Sequence, residues 1–210
     1  MRTDKENMRL YNISEVITFS KTNEGFGELS NMSSSFPLFI NDIIIPSSEA
    51  LYQAMRYSLF PKAQNEIISQ ASPMTAKMIS KKYNHYSRQD WDLIKLKVMR
   101  WVMEIKLSQH WNKLAPILEE TGNKAIVELS YKDQFWGAKN IGNNQLEGTN
   151  ALGRLWMDLR EKHILTNNKI ECVPPLTIAG FRLYDHDIGT VCNEDHFLNN
   201  EEDKLYALSV

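Results

Sequence analysis

The amino-acid sequence predicts an α+β protein that is mostly helical, with a small β component in a single principal domain. The chain has 210 residues, a length that fits one domain with a short appendage. Hydrophobic residues make up 42 % of it, which is enough for a substantial core. Apolar residues recur mainly at helical spacing, and only a few short segments have the composition of strands.

The first predicted elements are a strand, a loop and a hairpin. Residues 16–20 read Val-Ile-Thr-Phe-Ser, and β-branched and aromatic residues favour a strand. Residues 24–35 are rich in Gly, Ser and Asn and are predicted to form a loop. Apolar residues lie on both sides of Asn41-Asp42, which predicts a tight turn between two strands.

Helices are predicted next. Ser47 or Ser48 can cap a helix of about ten residues, and Glu49 would lie in its first turn. Short helices are predicted to follow at residues 62–70 and 74–82.

The strongest helical periodicity spans residues 88–111, and a further helix is predicted at about 113–121. Residues 125–129 are short and apolar and fit either a helix or a strand. Residues 132–149 are predicted to form a long loop, and loops of that length are often functional. The last clear helix is predicted at residues 150–162.

The composition changes near the C-terminus. Pro, Gly and acidic residues become frequent, which predicts an irregular or β-containing segment. We therefore divide the chain into a main domain at residues 1–165 and an extension at residues 166–210. The extension either packs on the main domain or forms a separate interaction surface, and the sequence does not decide between the two.

Charge and cysteine content exclude several classes of protein. The net charge of −2 does not fit a nucleic-acid coating protein, although a local basic groove remains compatible with it. Cys172 and Cys192 form no CxxC pair and no disulfide framework, which favours a reducing compartment. The N-terminus lacks the apolar core of a secretory signal, and no apolar run is long enough to span a bilayer. The sequence therefore predicts a soluble cytoplasmic protein without a membrane partner.

No metal or other cofactor is predicted. Two cysteines and two histidines do cluster in the extension, at Cys172, His186, Cys192 and His196. Their intervals are not those of a common zinc finger.

Glu49 is the first candidate for chemistry. Gln53 and Arg56 share its helical face by their spacing, and the helix dipole favours an ionised carboxylate in the first turn. The alternative is an ordinary first-turn charge without a function.

Lys95 is the second candidate. It borders the apolar face of the longest predicted helix, where desolvation would lower its pKa and make it a nucleophile or a base. The alternative is a lysine whose stem packs on the core while its ammonium stays in water.

Several loop and aromatic residues are candidates for substrate binding. Trp91 and Trp136 offer flat surfaces for a base, although aromatic residues at helical spacing often belong to the core. Asp133 could orient a water or bind a ribose hydroxyl, or form a turn. Ser30-Asn31 could bind phosphate or ribose, or form a plain turn. The Gly/Asn-rich stretch GNNQLEGTNALG could present a helix N-terminus to a phosphate.

The order of eight segments resembles the NADAR family. These segments are GELSNMSSSFPL, PSSEALYQAMRY, ASPMTAKM, RQDWDLIKLKVM, IKLSQH, LEETGNKAIVELS, DQFWG and GTNALGRLWMDLR. The resemblance spans roughly two thirds of the chain, from about Glu24 to Arg160. The resemblance implies a compact, mostly helical α+β fold with a cleft for NAD-like or ADP-ribosyl compounds. It also implies N-glycoside hydrolysis, either of phosphoribosylated riboflavin-pathway intermediates or of ADP-ribose attached to guanine bases.

The resemblance assigns roles by position. Its catalytic residues would be Glu49, Lys95 and Asp133. Its substrate-binding or site-supporting residues would be Ser30, Asn31, Gln53, Trp91, Trp136, Asn150 and Arg160.

Two departures bear on the substrate. The acidic, Gly-rich continuation of riboflavin-pathway members is replaced by FWGAKNIG, and a Gly-Arg pair is replaced by Ile79-Ser80-Lys81. These differences favour an ADP-ribosylated guanine, in nucleic acid, over a riboflavin intermediate. An ADP-ribosyltransferase toxin is then a candidate counterpart of the enzyme. A non-catalytic ADP-ribose or NAD reader and a protein-interaction module remain as alternatives.

Two mechanisms fit these residues. In direct hydrolysis, Glu49 or Asp133 positions the attacking water. In covalent catalysis, Lys95 attacks the anomeric carbon of an opened ribose and forms a Schiff base.

Overall fold

The computed structural model describes residues 7–193. Six α-helices lie in this range: α1 Ser48–Met55, α2 Pro61–Ile68, α3 Pro73–Lys82, α4 Trp91–Gln109, α5 Trp111–Glu120 and α6 Ala151–Leu159. Eleven short strands lie in it as well: β1 Arg9–Asn12, β2 Val16–Phe19, β3 Leu38–Ile40, β4 Ile43–Ile45, β5 Ala125–Glu128, β6 Lys139–Gly142, β7 Gln145–Gly148, β8 Cys172–Val173, β9 Arg182–Leu183, β10 His186–Asp187 and β11 Val191–Cys192. The α+β prediction, mostly helical with small sheets, is confirmed.

The helices predicted from periodicity are all present, with ends that differ by a few residues. Ser47 caps α1, because its hydroxyl accepts a hydrogen bond from the Ala50 N–H at 3.1 Å. The predicted hairpin is also present as β3 and β4. Asn41 and Asp42 form its turn with φ of 51° and 61°, the left-handed conformation that Asn and Asp tolerate.

The core is built around a parallel strand pair and the longest helix. β2 pairs with β5 in parallel, with Val16 opposite Ala125. Of the two alternatives for residues 125–129, helix or strand, the structure therefore shows the strand. Helix α6 packs on β5, and α4 contacts α1 and α6. Trp101 on α4 and Trp156 on α6 are both buried in this core.

The prediction of a long loop at residues 132–149 is wrong for its second half. Residues 139–148 form the hairpin β6–β7, and β1 adds a third strand to it. Asn143 and Asn144 make the turn at φ of 51° and 59°. The strands of this hairpin are four residues long and mostly polar, so their pattern did not separate them from a loop.

Residues 167–193 pack on the main domain, which decides between the two alternatives for this part of the extension. The Trp101 indole N–H donates to the Pro174 carbonyl at 3.1 Å, and the rings of Trp101 and Phe181 are 4.9 Å apart. Arg88 donates to the Ala179 carbonyl at 2.9 Å. The predicted extension also includes residues 194–210, which lie outside the described residues, as does His196.

Cys172 and Cys192 form a disulfide between β8 and β11, which corrects the expectation of two unpaired cysteines. Twenty residues separate them in sequence, and the antiparallel pairing of β8 with β11 brings them together. Two cysteines this far apart, outside any CxxC pair, carry no spacing that predicts such a pairing. Cysteine usage therefore no longer supports the prediction of a reducing compartment. Within residues 7–193, no helix is long and apolar enough to cross a membrane.

Candidate active site

An open cleft of about 360 Å³ lies where the N-terminal ends of α1 and α4 meet the loop after β2 and the loop after β5. Eight of the ten predicted site residues line it: Ser30, Asn31, Glu49, Gln53, Trp91, Lys95, Asp133 and Trp136. The structure thus brings together side chains that are far apart in sequence. The sequence analysis did not single out the polar lining residues Tyr52, Lys77, Asp92, Glu128 and Ser130, nor the apolar ones Met32, Met99 and Leu152.

Glu49 is fixed at the bottom of the first turn of α1. Its backbone N–H donates to the Asn31 carbonyl at 3.1 Å, so the loop after β2 is tied to this helix. Its carboxylate accepts a hydrogen bond from the Gln53 amide at 2.9 Å and lies 3.6 Å from the Lys77 ammonium. Glu49 is only 5 % exposed. It is therefore a buried, hydrogen-bonded carboxylate facing the cleft, and the interpretation as an ordinary surface charge does not hold.

Aromatic side chains form one wall of the cleft. The ring of Tyr52 is 5.1 Å from that of Trp91 and 5.6 Å from that of Trp136, the latter in an edge-to-face arrangement. Burial and the nearby Glu49 carboxylate raise the pKa of Tyr52 above its ordinary value, so the phenol remains protonated. This wall offers flat apolar surface beside an acidic group.

Asp133 performs the turn-forming role that the sequence left as an alternative. Its carboxylate accepts the backbone N–H groups of Phe135 and Trp136, both at 2.9 Å. Its own N–H donates to the Ser130 hydroxyl at 2.9 Å. Asp133 therefore positions Trp136 while its carboxylate also borders the cleft.

Lys95 lies at the rim of the cleft. Its ammonium is 3.0 Å from the Asp92 carboxylate and 4.7 Å from the centre of the Phe135 ring. The side chain is 29 % exposed. Lys95 is thus partly buried and ion-paired. It is neither the fully desolvated lysine nor the lysine with a water-exposed ammonium that the sequence analysis considered.

A different lysine, Lys106, is fully buried behind the cleft. Its ammonium donates to the carbonyls of Glu28 and Ser30 and lies 4.8 Å from the centre of the Phe36 ring. Burial lowers the pKa of Lys106 to about 7. Trp156 donates to the Leu29 carbonyl at 2.8 Å, so two side chains hold the loop that presents Ser30 and Asn31.

Asn31 lines the cleft but is itself buried. Its amide nitrogen lies 2.9 Å from the Met99 sulfur, and its amide oxygen is buried without a hydrogen-bond partner among the described residues. That oxygen is closed to a ligand in this conformation, so the substrate-binding role of Asn31 stays a prediction.

Glu128 is the main residue that the sequence analysis missed. It lies at the C-terminal end of β5, and its partly buried carboxyl lines the cleft. Burial, with the nearby Asp133 and Glu49 carboxylates, raises the pKa of Glu128 to about 7, against the opposing effect of Lys77. The available sign was one acidic residue directly after the apolar run Ala-Ile-Val, at the end of a segment whose strand assignment was undecided.

Asn150 and Arg160 do not line the cleft, so of the two roles predicted for them, substrate binding or site support, their contacts fit site support. The Asn150 side chain accepts the Glu128 N–H at 3.0 Å and donates to the Ile126 carbonyl at 2.8 Å. Arg160 donates to the Thr121 hydroxyl at 2.7 Å and to the Lys124 carbonyl at 2.8 Å. Both are buried and therefore tie neighbouring elements together instead of reaching a ligand.

The N-terminus of α6 is not open to a phosphate, in contrast to the prediction from its Gly/Asn-rich approach. The N–H groups of Ala151 and Leu152 donate to the carbonyls of Phe135 and Trp136, at 2.9 and 3.0 Å. These donors are therefore satisfied within the chain. Among residues 7–193, no group of three or more His, Cys, Asp or Glu side chains is arranged to hold a metal ion.

Comparisons with known proteins agree on one family. The model of the NADAR domain matches residues 18–163. The chain is 32 % identical over 147 residues to the N-glycosidase YbiA of Escherichia coli, covering 70 % of this chain and 88 % of that protein. It is 32 % identical over 148 residues to a riboflavin biosynthesis protein of Vibrio vulnificus, covering 70 % of this chain and 38 % of that longer protein. The NMR structure of E. coli YbiA superposes with a TM-score of 0.62 at 31 % identity, covering 72 % of this chain and 86 % of that one.

Proposed function

This chain belongs to the NADAR family, and from that premise we propose that it is an N-glycosidase that removes ADP-ribose from modified guanine bases in nucleic acid. The observation that supports the proposal most directly is the position of Glu49. Its buried carboxylate faces a cleft that is walled by Tyr52, Trp91 and Trp136. Relatives that share this domain are named N-glycosidases, which supports cleavage of a ribosyl C–N bond.

The electrostatics of the cleft suit a substrate that is anionic at one end and cationic in its transition state. Breaking a ribosyl C–N bond develops positive charge at the anomeric carbon, which a carboxylate stabilises. Glu49 would provide that carboxylate, held in place by Gln53 at 2.9 Å. Three cationic side chains that line the same cleft, Arg56, Lys77 and Lys95, would attract the diphosphate of ADP-ribose.

Two chemical routes use these groups. In the first, Glu49 takes a proton from water as the water oxygen attacks the anomeric carbon. In the second, the Lys95 amine attacks that carbon in the opened ribose, the bond from the carbon to the base nitrogen breaks, and the base leaves with a proton. The resulting imine on Lys95 is then hydrolysed by water, which frees the amine. The second route requires the ammonium to lose its proton and its ion pair with Asp92. The Asp133 carboxylate accepts hydrogen bonds from two backbone N–H groups. We therefore assign it the role of positioning Trp136 and not that of transferring a proton.

The alternative substrate is a phosphoribosylated riboflavin-pathway intermediate. A relative of 32 % identity is named a riboflavin biosynthesis protein, and the same cleft would accept a ribosyl phosphate. A reader without catalytic activity would bind ADP-ribose without consuming it. The proposed toxin counterpart, an ADP-ribosyltransferase, would be the source of the modified guanine.

A substrate panel tests the proposal. The protein is incubated separately with an oligonucleotide that carries ADP-ribosylated guanine, with NAD and with a riboflavin-pathway ribosyl phosphate, and products are identified by mass spectrometry. We expect release of ADP-ribose, which leaves an oligonucleotide whose guanine is unmodified. Glu49→Gln keeps the shape of the side chain and removes its charge, so we expect turnover to fall by roughly 10²-fold or more. The exposed Glu120→Gln is the matched control and should retain full activity.

Three outcomes of this panel would contradict parts of the proposal. Consumption of the ribosyl phosphate alone would replace the guanine substrate with the riboflavin one. Binding of ADP-ribose without any product would indicate a reader. Full turnover by the folded Glu49→Gln variant would remove Glu49 from the mechanism.

A further inference from the structure

We propose that Glu128 is the acid that protonates the departing base, an inference that rests on the N-glycosidase function proposed above. A base that leaves a ribosyl carbon takes the bonding electron pair with it, and a neutral purine is a poor leaving group unless it gains a proton. Glu49 faces the same cleft but suits the opposite task. Its carboxylate accepts the Gln53 amide and lies 3.6 Å from the Lys77 ammonium, so it is already held by two partners.

The backbone of Glu128 is held rigidly, which is what a group acting at one fixed atom requires. Its N–H donates to the Asn150 side chain at 3.0 Å, and its carbonyl accepts the Ala138 N–H at 2.8 Å. The next residue, Leu129, donates to the Phe19 carbonyl at 2.8 Å. Asn150 is itself fully buried, so the end of β5 cannot shift without disturbing α6. The backbone that carries the Glu128 carboxyl is thereby fixed at the cleft wall.

The surroundings of this carboxyl keep it protonated near neutral pH. Burial is the largest cause, and the Asp133 and Glu49 carboxylates add to it, so that the pKa of Glu128 reaches about 7. Lys77 opposes this shift. The charged side chains that share the cleft are Glu49, Arg56, Lys77, Asp92, Lys95 and Asp133. Two carboxyl groups in one cleft, one of which has a raised pKa, are a usual arrangement for an acid and a base.

The reaction balances without any further reactant. The bond between the anomeric carbon and the base nitrogen breaks, and its electron pair stays on the nitrogen. The Glu128 O–H proton moves to the base, which leaves Glu128 as a carboxylate. Water supplies the oxygen that bonds to the anomeric carbon, and its proton moves to Glu49. Proton exchange with solvent then restores both carboxyl groups.

Two measurements test this role. First, ¹³C-labelled glutamate is titrated in the protein without substrate, and the Glu128 carboxyl signal is assigned by its loss in Glu128→Gln. We expect a midpoint near pH 7. A midpoint at the ordinary glutamate value of about 4.3 would overturn the acid role whatever the enzyme cleaves.

Second, the pH dependence of kcat/KM is compared in the wild type and in variants. An acid must be protonated, so wild-type activity should fall as pH rises above about 7. Glu128→Gln should lose roughly 10²- to 10⁴-fold at pH 6 and should lack this alkaline limb, whereas Glu128→Asp should retain it at a lower rate. Glu120→Gln should match the wild type throughout.

The outcomes separate this inference from the proposed function. An active wild type whose alkaline limb and rate survive in Glu128→Gln would refute the acid role alone. A wild type that cleaves none of the offered substrates would refute the proposed function instead. Circular dichroism and thermal unfolding of Glu128→Gln establish that a lost rate is not a lost fold.

Discussion

At the scale of single residues, the contacts of Lys95 are compatible with two chemistries. Its ammonium lies 3.0 Å from Asp92 and 4.7 Å from the centre of the Phe135 ring, and its side chain is 29 % exposed. An ion pair suits a lysine that binds a phosphate, whereas Schiff-base formation needs the neutral amine. The ammonium and the neutral amine of Lys95 differ by one proton. A chemical trap for the imine therefore distinguishes the two routes.

Borohydride added during turnover provides that trap. If an imine forms, hydride reduces it to a secondary amine, and we expect a peptide containing Lys95 to gain the mass of the ribosyl fragment. Lys95→Arg should abolish the adduct. Lys97→Met, an exposed change on the same helix, should keep it. Turnover with no adduct in the wild type would leave direct hydrolysis as the route.

Helical spacing placed two residues of the cleft together, whereas the cleft residue that a strand carries was missed. Glu49 and Gln53 are four residues apart on α1, so helical spacing put both on one face, and they do hydrogen-bond at 2.9 Å. Glu128 depends on the pairing of β5 with β2, which joins residues more than 100 positions apart. Asp133 was found, but its two bonds to backbone N–H groups depend on a loop conformation that the sequence does not display.

At the scale of elements, the close contact of α6 with β5 supports the site from behind. Gly153 lies on the face of α6 that meets this strand, and a methyl group there would overlap the Ile126 carbonyl and crowd the Asn150 side chain. Asn150 in turn bonds to the N–H of Glu128. A glycine within a helix looks like a weakness in the sequence, but here it allows helix and strand to approach.

Gly153→Ala tests this contact. Alanine favours a helix over glycine by about 1 kcal/mol, so propensity alone predicts a gain in stability. We expect the opposite, a loss of about 3 kcal/mol in the free energy of unfolding, because the overlap forces strand and helix apart. Urea unfolding measures it. Gly25→Ala, where no atom lies within 4 Å of the added carbon, is the control and should change stability by less than about 0.5 kcal/mol. Equal stabilities of the two variants would refute the tight contact.

Helices and strands were predictable where their apolar residues recur at a regular spacing over many residues. Helix α4 has 19 residues and a sustained apolar stripe, so its position was evident. Strands β6 and β7 have four residues each, and β6 is fully exposed, so no alternation distinguished them from a loop. The strand β1, which pairs with β7, lies near the N-terminus and therefore far from β7 in sequence.

At the scale of the whole molecule, the hydrophobic core includes residues that lie beyond the part of the chain matched by the family model. The NADAR model covers residues 18–163, yet the buried cluster continues into the following segment. Its members there are Ile170, Val173, Phe181, Leu183, Ile188 and Val191. Composition alone marked this segment as different, and it could not reveal that these scattered apolar residues complete the packing around Trp101.

Truncation measures that contribution. A chain ending at Thr166 lacks these six side chains, and each buried apolar side chain contributes about 1.5–3 kcal/mol. The summed loss is comparable to the whole stability of a typical domain, so we expect no cooperative unfolding transition by circular dichroism. A chain ending at Asn193 retains all six and is the control. A cooperative, active protein ending at Thr166 would show that the segment is dispensable for folding.

The bond between Cys172 and Cys192 gives this last segment an unusual response to cleavage. The residues between the two cysteines form a covalent ring, and Gly189 lies on its exposed side. A protease that cuts once inside the ring opens it without releasing either piece. The nicked molecule would migrate as an intact chain on a denaturing gel until reductant is added, and only then separate into two fragments.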